Sequence, residues 1–111
     1  MKQEPNNGAY LDSLGWAYLK QGKLSEAEEN LQKAAAKSAH DPTVLGHLAE
    51  VYMKMGQTER AAALMERALT EWQRALPADY EAERVTELDA QLKTLKRALA
   101  QKSAPESAKP Q

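Results

Sequence analysis

Seven residues of this chain return at one fixed offset. Leu11, Leu14, Tyr18, Lys20, Gly22, Ala27 and Ala34 are followed 34 positions later by Leu45, Leu48, Tyr52, Lys54, Gly56, Ala61 and Ala68. An internal period of this size belongs to chains built from stacked supersecondary units, each too small to bury its own apolar face. The residue types say which unit is stacked: helix formers dominate, Phe is absent and β-branched residues are scarce. Apolar positions are therefore read at the helical period, and the chain is expected to be all-α.

Five helices follow. The first runs from about Gly8 to Gln21 and stops at Gly22, a residue that tolerates the left-handed conformation after a helix. The second starts near Ser25, which with Glu28 spells a capping box, and carries Ala27, Leu31, Ala34 and Ala35 to about Lys37. Asp41 followed by Pro42 starts the third, because the carboxylate caps free amides and proline at the first helical position loses no needed donor. Gly56 closes it. Thr58 is read as the cap of a fourth, longer helix with Ala61, Met65, Ala68, Leu69, Trp72 and Leu76 on one face. Pro77 interrupts, Asp79 offers a new cap, and Val85, Leu88, Leu92, Leu95 and Leu99 step along a last amphipathic helix. Its leucine spacing is that of a coiled-coil seam, but the stripe is too short to sustain one, and the helix is read as a lid on the fourth. Acidic residues near its start and basic ones near its end suit its dipole.

These residues resemble the tetratricopeptide repeat, which spreads a bulky residue, Leu-Gly, Tyr, Gly, Ala, a large apolar residue and Ala over one period. Residues 8–41 match through Leu11, Leu14, Gly15, Tyr18, Gly22, Leu24, Ala27, Leu31 and Ala34. Residues 42–75 match through Leu45, Leu48, Ala49, Tyr52, Gly56, Ala61, Met65 and Ala68. Leu11 and Leu45 stand where the family often has Trp, Thr58 where an aromatic is common, and Ala39 where Pro is frequent. The resemblance implies two helix-turn-helix repeats, 8–41 and 42–75, stacked as a short right-handed superhelix. A capping helix over 78–101 follows, between a flexible segment 1–7 and a disordered tail 102–111. Pro5 falls one period before Ala39, so the chain is expected to be the C-terminal piece of a longer array of bacterial type.

In this family, function lies in the concave surface lined by the first helix of each repeat. The matching positions are Ala9, Asp12, Trp16, Leu19 and Lys20, then Thr43, Gly46, Glu50, Met53 and Lys54. The resemblance thus implies a module that binds a protein or peptide. Members that bind chaperone tails grip a terminal carboxylate with Lys and Asn, whereas the matching positions here hold Asp12, Trp16 and Glu50. Two carboxylates repel such a tail, so that clamp is expected to be missing. Trp16 is the leading groove candidate, as a large apolar surface with an indole donor, although packing on a neighbouring repeat explains it equally well. For Leu19 and Met53 core packing is the simpler reading, and Lys20 and Lys54 read first as solvated lysines. A second role is structural: capping or self-association of a longer array, with a homodimer through an apolar edge of Tyr10, Leu14 and Tyr18.

Other classes find little support. Fifteen basic against sixteen acidic residues leave a net charge of -1, no field for holding nucleic acid or an anionic membrane. Cys is absent, so there is neither a disulfide framework nor a thiolate site, and the redox compartment stays open. No apolar run approaches a membrane span or a signal sequence. A soluble chain is expected, with the cytoplasm favoured, although its parent could be exported. His40 and His47 straddle the Asp41-Pro42 start instead of sharing adjacent turns, which makes no metal pair and leaves them a surface role. Glu26, Glu28, Glu29, Glu81 and Glu83 lie on polar faces, and no phosphate-loop, nucleophile-elbow or zinc-protease pattern occurs. The expectation is no catalysis, no cofactor and no metal.

Overall fold

A computed structural model describes residues 7–75 and 80–103. They form five helices: α1 (Gly8–Lys20), α2 (Leu24–Lys37), α3 (Pro42–Lys54), α4 (Thr58–Arg74) and α5 (Ala82–Ser103). No strand occurs among the described residues. Each helix packs on the next in chain order, and α1 also touches α3. Pro5, Leu76, Pro77, Asp79 and the tail beyond Ser103 lie outside the described residues.

The two turns inside the repeats are the same structure made twice. Gly22 and Gly56 both sit at φ 79°. The amide of Lys23 donates to Tyr18 O at 2.9 Å and that of Gly22 to Leu19 O at 3.0 Å; one repeat later Gln57 donates to Tyr52 O at 2.8 Å and Gly56 to Met53 O at 3.1 Å. This is the Schellman closure, which satisfies the last carbonyls of a helix and needs a left-handed residue just after it.

That turn corrects both expected N-caps. Lys23 and Gln57 are the N-cap residues, and neither makes a side-chain cap hydrogen bond. Since the closing bond already engages the residue after the glycine, the next helix begins at once, and Ser25 and Thr58 fall inside it. The Ser25–Glu28 capping box is therefore not formed; Thr58 Oγ1 instead reaches back to Gly56 O at 3.5 Å. Asp41 does cap α3, accepting from the amides of Thr43 at 2.9 Å and Val44 at 3.4 Å, with Pro42 opening the helix. Asn7, read as part of the flexible segment, caps α1 by accepting from the Tyr10 amide at 3.1 Å. The last helix begins at Ala82 and extends to Ser103, later at both ends than 78–101.

The core runs through the stack. Leu31, Leu45, Val51 and Met65 are its largest fully buried side chains. Each contributes on the order of 1.5–3 kcal/mol by leaving water. Within the first repeat the two helices approach so closely at Gly15 that a Cβ there lies 2.5 Å from Leu31 Cγ. At the equivalent place in the second repeat stand Ala49 and Met65, both buried. Repeats are joined by a small cluster of Leu11, Ala34 and Val44 and by a hydrogen bond from Gln32 Nε2 to Tyr52 Oη at 2.7 Å. Leu88, Leu92 and Leu95 of α5 are buried in the main cluster, with Val85 and Leu99 packed against it.

Candidate concave groove

α5 packs on α4 but not closely on α3, whereas α3 does meet α1. A recess of about 620 Å3 opens between the three helices. From α1 it takes Asp12, Ser13 and Trp16; from α3, Pro42, Thr43, Gly46, His47 and Glu50; from α5, Glu83, Arg84, Glu87, Leu88 and Gln91, with Trp72 of α4 also in the lining. Trp72 is almost wholly buried and meets Tyr80 edge-on, centroids 6.2 Å apart.

The side chains that fix the α1–α3 side form one chain of contacts. His47 Nδ1 lies 2.8 Å from Asp12 Oδ1, with both side chains mostly covered. The imidazole stacks on the Trp16 ring, centroids 4.2 Å apart and planes inclined by 24°. Over the same indole lies Lys20 Nζ, 4.4 Å from the ring centroid. A carboxylate, a histidine, an indole and an ammonium from two repeats thus hold one another in place, through hydrogen bonding, stacking and cation–π attraction.

Of the groove positions implied by the repeat pattern, Asp12, Trp16, Thr43, Gly46 and Glu50 line the recess. Ala9, Lys20, Met53 and Lys54 are exposed and outside its lining. Leu19 belongs to the core, at 4 % exposure, because it continues the buried stripe of Leu11 and Gly15 on α1. Met53, for which core packing is the simpler reading, is 38 % exposed. The two residues are one period apart, so the period alone does not set their exposure: Leu19 joins the main core cluster and Met53 does not.

His47 is the main residue that sequence reasoning missed, since it is no isolated surface histidine but the link between Asp12 and Trp16. The α5 wall was missed as well, because its polar face was assigned to solvent. Its place was readable in principle: the last helix follows α4 as α3 follows α2, so its first turns stand where a further groove helix belongs. A second histidine, His40, sits at the neighbouring recess of about 410 Å3, with Nδ1 2.8 Å from Glu71 Oε2. The His40 hydrogen bond holds the Glu71 carboxyl below its usual range, helped by charge from His40, Arg74 and Arg67 and opposed by desolvation.

Among the described residues no group of three or more His, Asp or Glu is placed to hold a metal ion, and no helix is long and apolar enough to cross a membrane. A family model described as tetratricopeptide repeat matches residues 18–78, more than half of the chain. No curated protein matches it.

Proposed function

Since the chain belongs to the tetratricopeptide repeat family, whose repeats are generally protein-interaction modules, we propose that it binds a segment of another polypeptide in the recess between α1, α3 and α5, without chemistry. The observation that carries this reading is the Asp12–His47–Trp16 arrangement, which sets a half-buried indole and polar groups from two repeats at one open concavity. Aromatic residues so placed are the usual anchors of protein interfaces. Fold by itself carries no function, and the reading rests on this site.

Affinity capture from the native source tests it, using the whole chain beside Trp16→Ala and Glu50→Lys. Trp16→Ala removes stacking with His47 as well as groove surface, so Glu50→Lys serves as the second variant, changing the recess without removing packing. Loss of the captured partner in both variants, with far-UV circular dichroism unchanged, is the expected result. Full capture by both variants overturns it. The structural reading, in which this segment stabilises or caps an array, is favoured by the α5 leucine stripe that closes the core over α4. It predicts unchanged capture and a large loss of thermal stability on Leu92→Ala.

A further inference from the structure

Away from the groove several carboxylates are paired, Glu28 with Arg60, Glu29 with Lys33, Glu66 with Lys96, Glu71 with His40 and Arg74, and Asp89 with Lys93, whereas the exposed Glu26 and Glu59 make no ion pair among the described residues. Three carboxylates that line the recess make no ion pair among the described residues: Glu50 on α3, and Glu83 and Glu87 one turn apart on α5. Arg84, the guanidinium in the lining, is drawn aside to Glu81 at 3.0 Å, and Asp12 engages His47 with one of its oxygens. A concavity walled on both sides by unpaired carboxylates concentrates negative potential although the chain as a whole is nearly neutral.

A second observation concerns the aromatic surface. The ammonium of Lys20 already rests 4.4 Å over the Trp16 ring. Lys20 is exposed and hangs on a flexible stem, so it is readily displaced, and the contact shows that this indole accepts a cation in ordinary cation–π geometry. Acid walls and a cation-binding ring select the same ligand chemistry.

We propose that the groove receives a basic peptide segment, an Arg or Lys of which replaces Lys20 on Trp16 while neighbouring basic residues pair with Glu50, Glu83 and Glu87. This rests on the groove reading given above and names the partner class for it. Guanidinium groups suit the site best, because they stack on an indole and bind carboxylates in a planar fork.

Fluorescence anisotropy with three labelled twelve-residue peptides tests this, one alternating Arg with Ser, one Gln with Ser and one Glu with Ser. The Arg peptide is expected to bind, more weakly as salt rises, and the other two to bind at least tenfold more weakly. The triple variant Glu50→Gln, Glu83→Gln, Glu87→Gln is expected to lose about tenfold in affinity, at a fraction of a kcal/mol per exposed pair. A triple with the same change in net charge outside the groove, Glu26→Gln, Glu29→Gln, Glu59→Gln, is expected to lose less than twofold. Equal losses in the two triples reduce the binding to diffuse charge attraction and overturn the proposal. So does equal binding of the Gln peptide, which leaves groove binding standing. If the Arg peptide does not bind while Trp16→Ala and Glu50→Lys still abolish native capture, the basic-segment proposal fails alone. If those variants capture normally as well, both readings fail.

Discussion

Adding one methyl group to either of two helical glycines is expected to change stability in opposite directions. At Gly46, on the groove face of α3, an added Cβ meets nothing within 4 Å. Gly46→Ala therefore collects only the gain in helix propensity, about 0.5–1 kcal/mol of added stability. At Gly15 the same atom lies 2.5 Å from Leu31 Cγ, 3.1 Å from Leu31 Cδ2 and 3.3 Å from Ala27 O. The nearest of these is a branch point, not the free end of a side chain, so α1 and α2 must separate or Leu31 must leave its rotamer. Overpacking of this kind costs about 1–3 kcal/mol, and subtracting a propensity gain of about 1 kcal/mol leaves a net loss of up to about 2 kcal/mol, largest if Leu31 cannot give way. For a domain of this size that is a fall in Tm of up to roughly 16 °C. The second repeat shows the remedy, because it pairs Ala49 with the unbranched Met65 where the first pairs Gly15 with Leu31. Leu31→Met alone should cost less than about 1.5 kcal/mol, and combined with Gly15→Ala it should recover about 1 kcal/mol relative to the sum of the single changes. Urea unfolding followed by far-UV circular dichroism measures all four proteins and Gly46→Ala. The reasoning is refuted if Gly15→Ala and Gly46→Ala move the midpoint in the same direction, or if the Leu31→Met coupling is zero.

Gly56 isolates backbone strain from packing, since it sits at φ 79° with open space around its Cβ; Gly56→Ala should cost about 1–2 kcal/mol and Gly56→Asn distinctly less, by the same urea measurement. Glu71 is held below the ordinary glutamate value of 4.5, first by the His40 hydrogen bond. A carboxyl whose folded-state pKa is lowered contributes stability that is complete above its unfolded value and is lost as pH falls through the folded one. Thermal melts from pH 6 down to about pH 2 should thus show a steeper acid loss for the native chain than for Glu71→Gln, and parallel curves would remove the argument. A peptide ending in a free acidic carboxylate should bind no better than its C-terminal amide, given Asp12 and Glu50 in the groove; isothermal calorimetry with the matched pair decides it, and strong binding lost on amidation contradicts it.

The repeat made most of the fold legible. Equal residues at equal offsets forecast both helix stops, because Gly22 and Gly56 have a role that only a left-handed residue fills easily. The Asp41-Pro42 start was readable for a similar reason, as both residues act on their own backbone. Ser25 and Thr58 misled because a capping signature competes with a turn that starts the helix two residues or one residue sooner, and the turn's backbone hydrogen bonds win. The groove was legible as far as period carried it: Asp12, Trp16, Gly46 and Glu50 lie in the lining, but Leu19, Lys20, Met53 and Lys54 do not. Leu19 and Met53 show the limit best, as equivalent positions with opposite exposure. Their difference lies in which of them joins the core cluster, a matter of tertiary packing that no local pattern encodes. His47 escaped because its importance comes from a residue 35 positions earlier, outside the period that organised the rest.

The hydrogen bond from Gln32 to Tyr52 lies at the seam between repeats, outside the lining of the groove, with Arg60 5.4 Å over the same tyrosine ring. Yet the recess has no single owner: its walls belong to α1, α3 and α5, with Trp72 of α4 in the lining. Seam residues such as Gln32, Tyr52 and Arg60 thus join the units whose helices wall the recess without lining it themselves. On the groove reading, change in this chain has two routes to a new partner, replacement of the side chains that touch it and replacement of those that join the units around it.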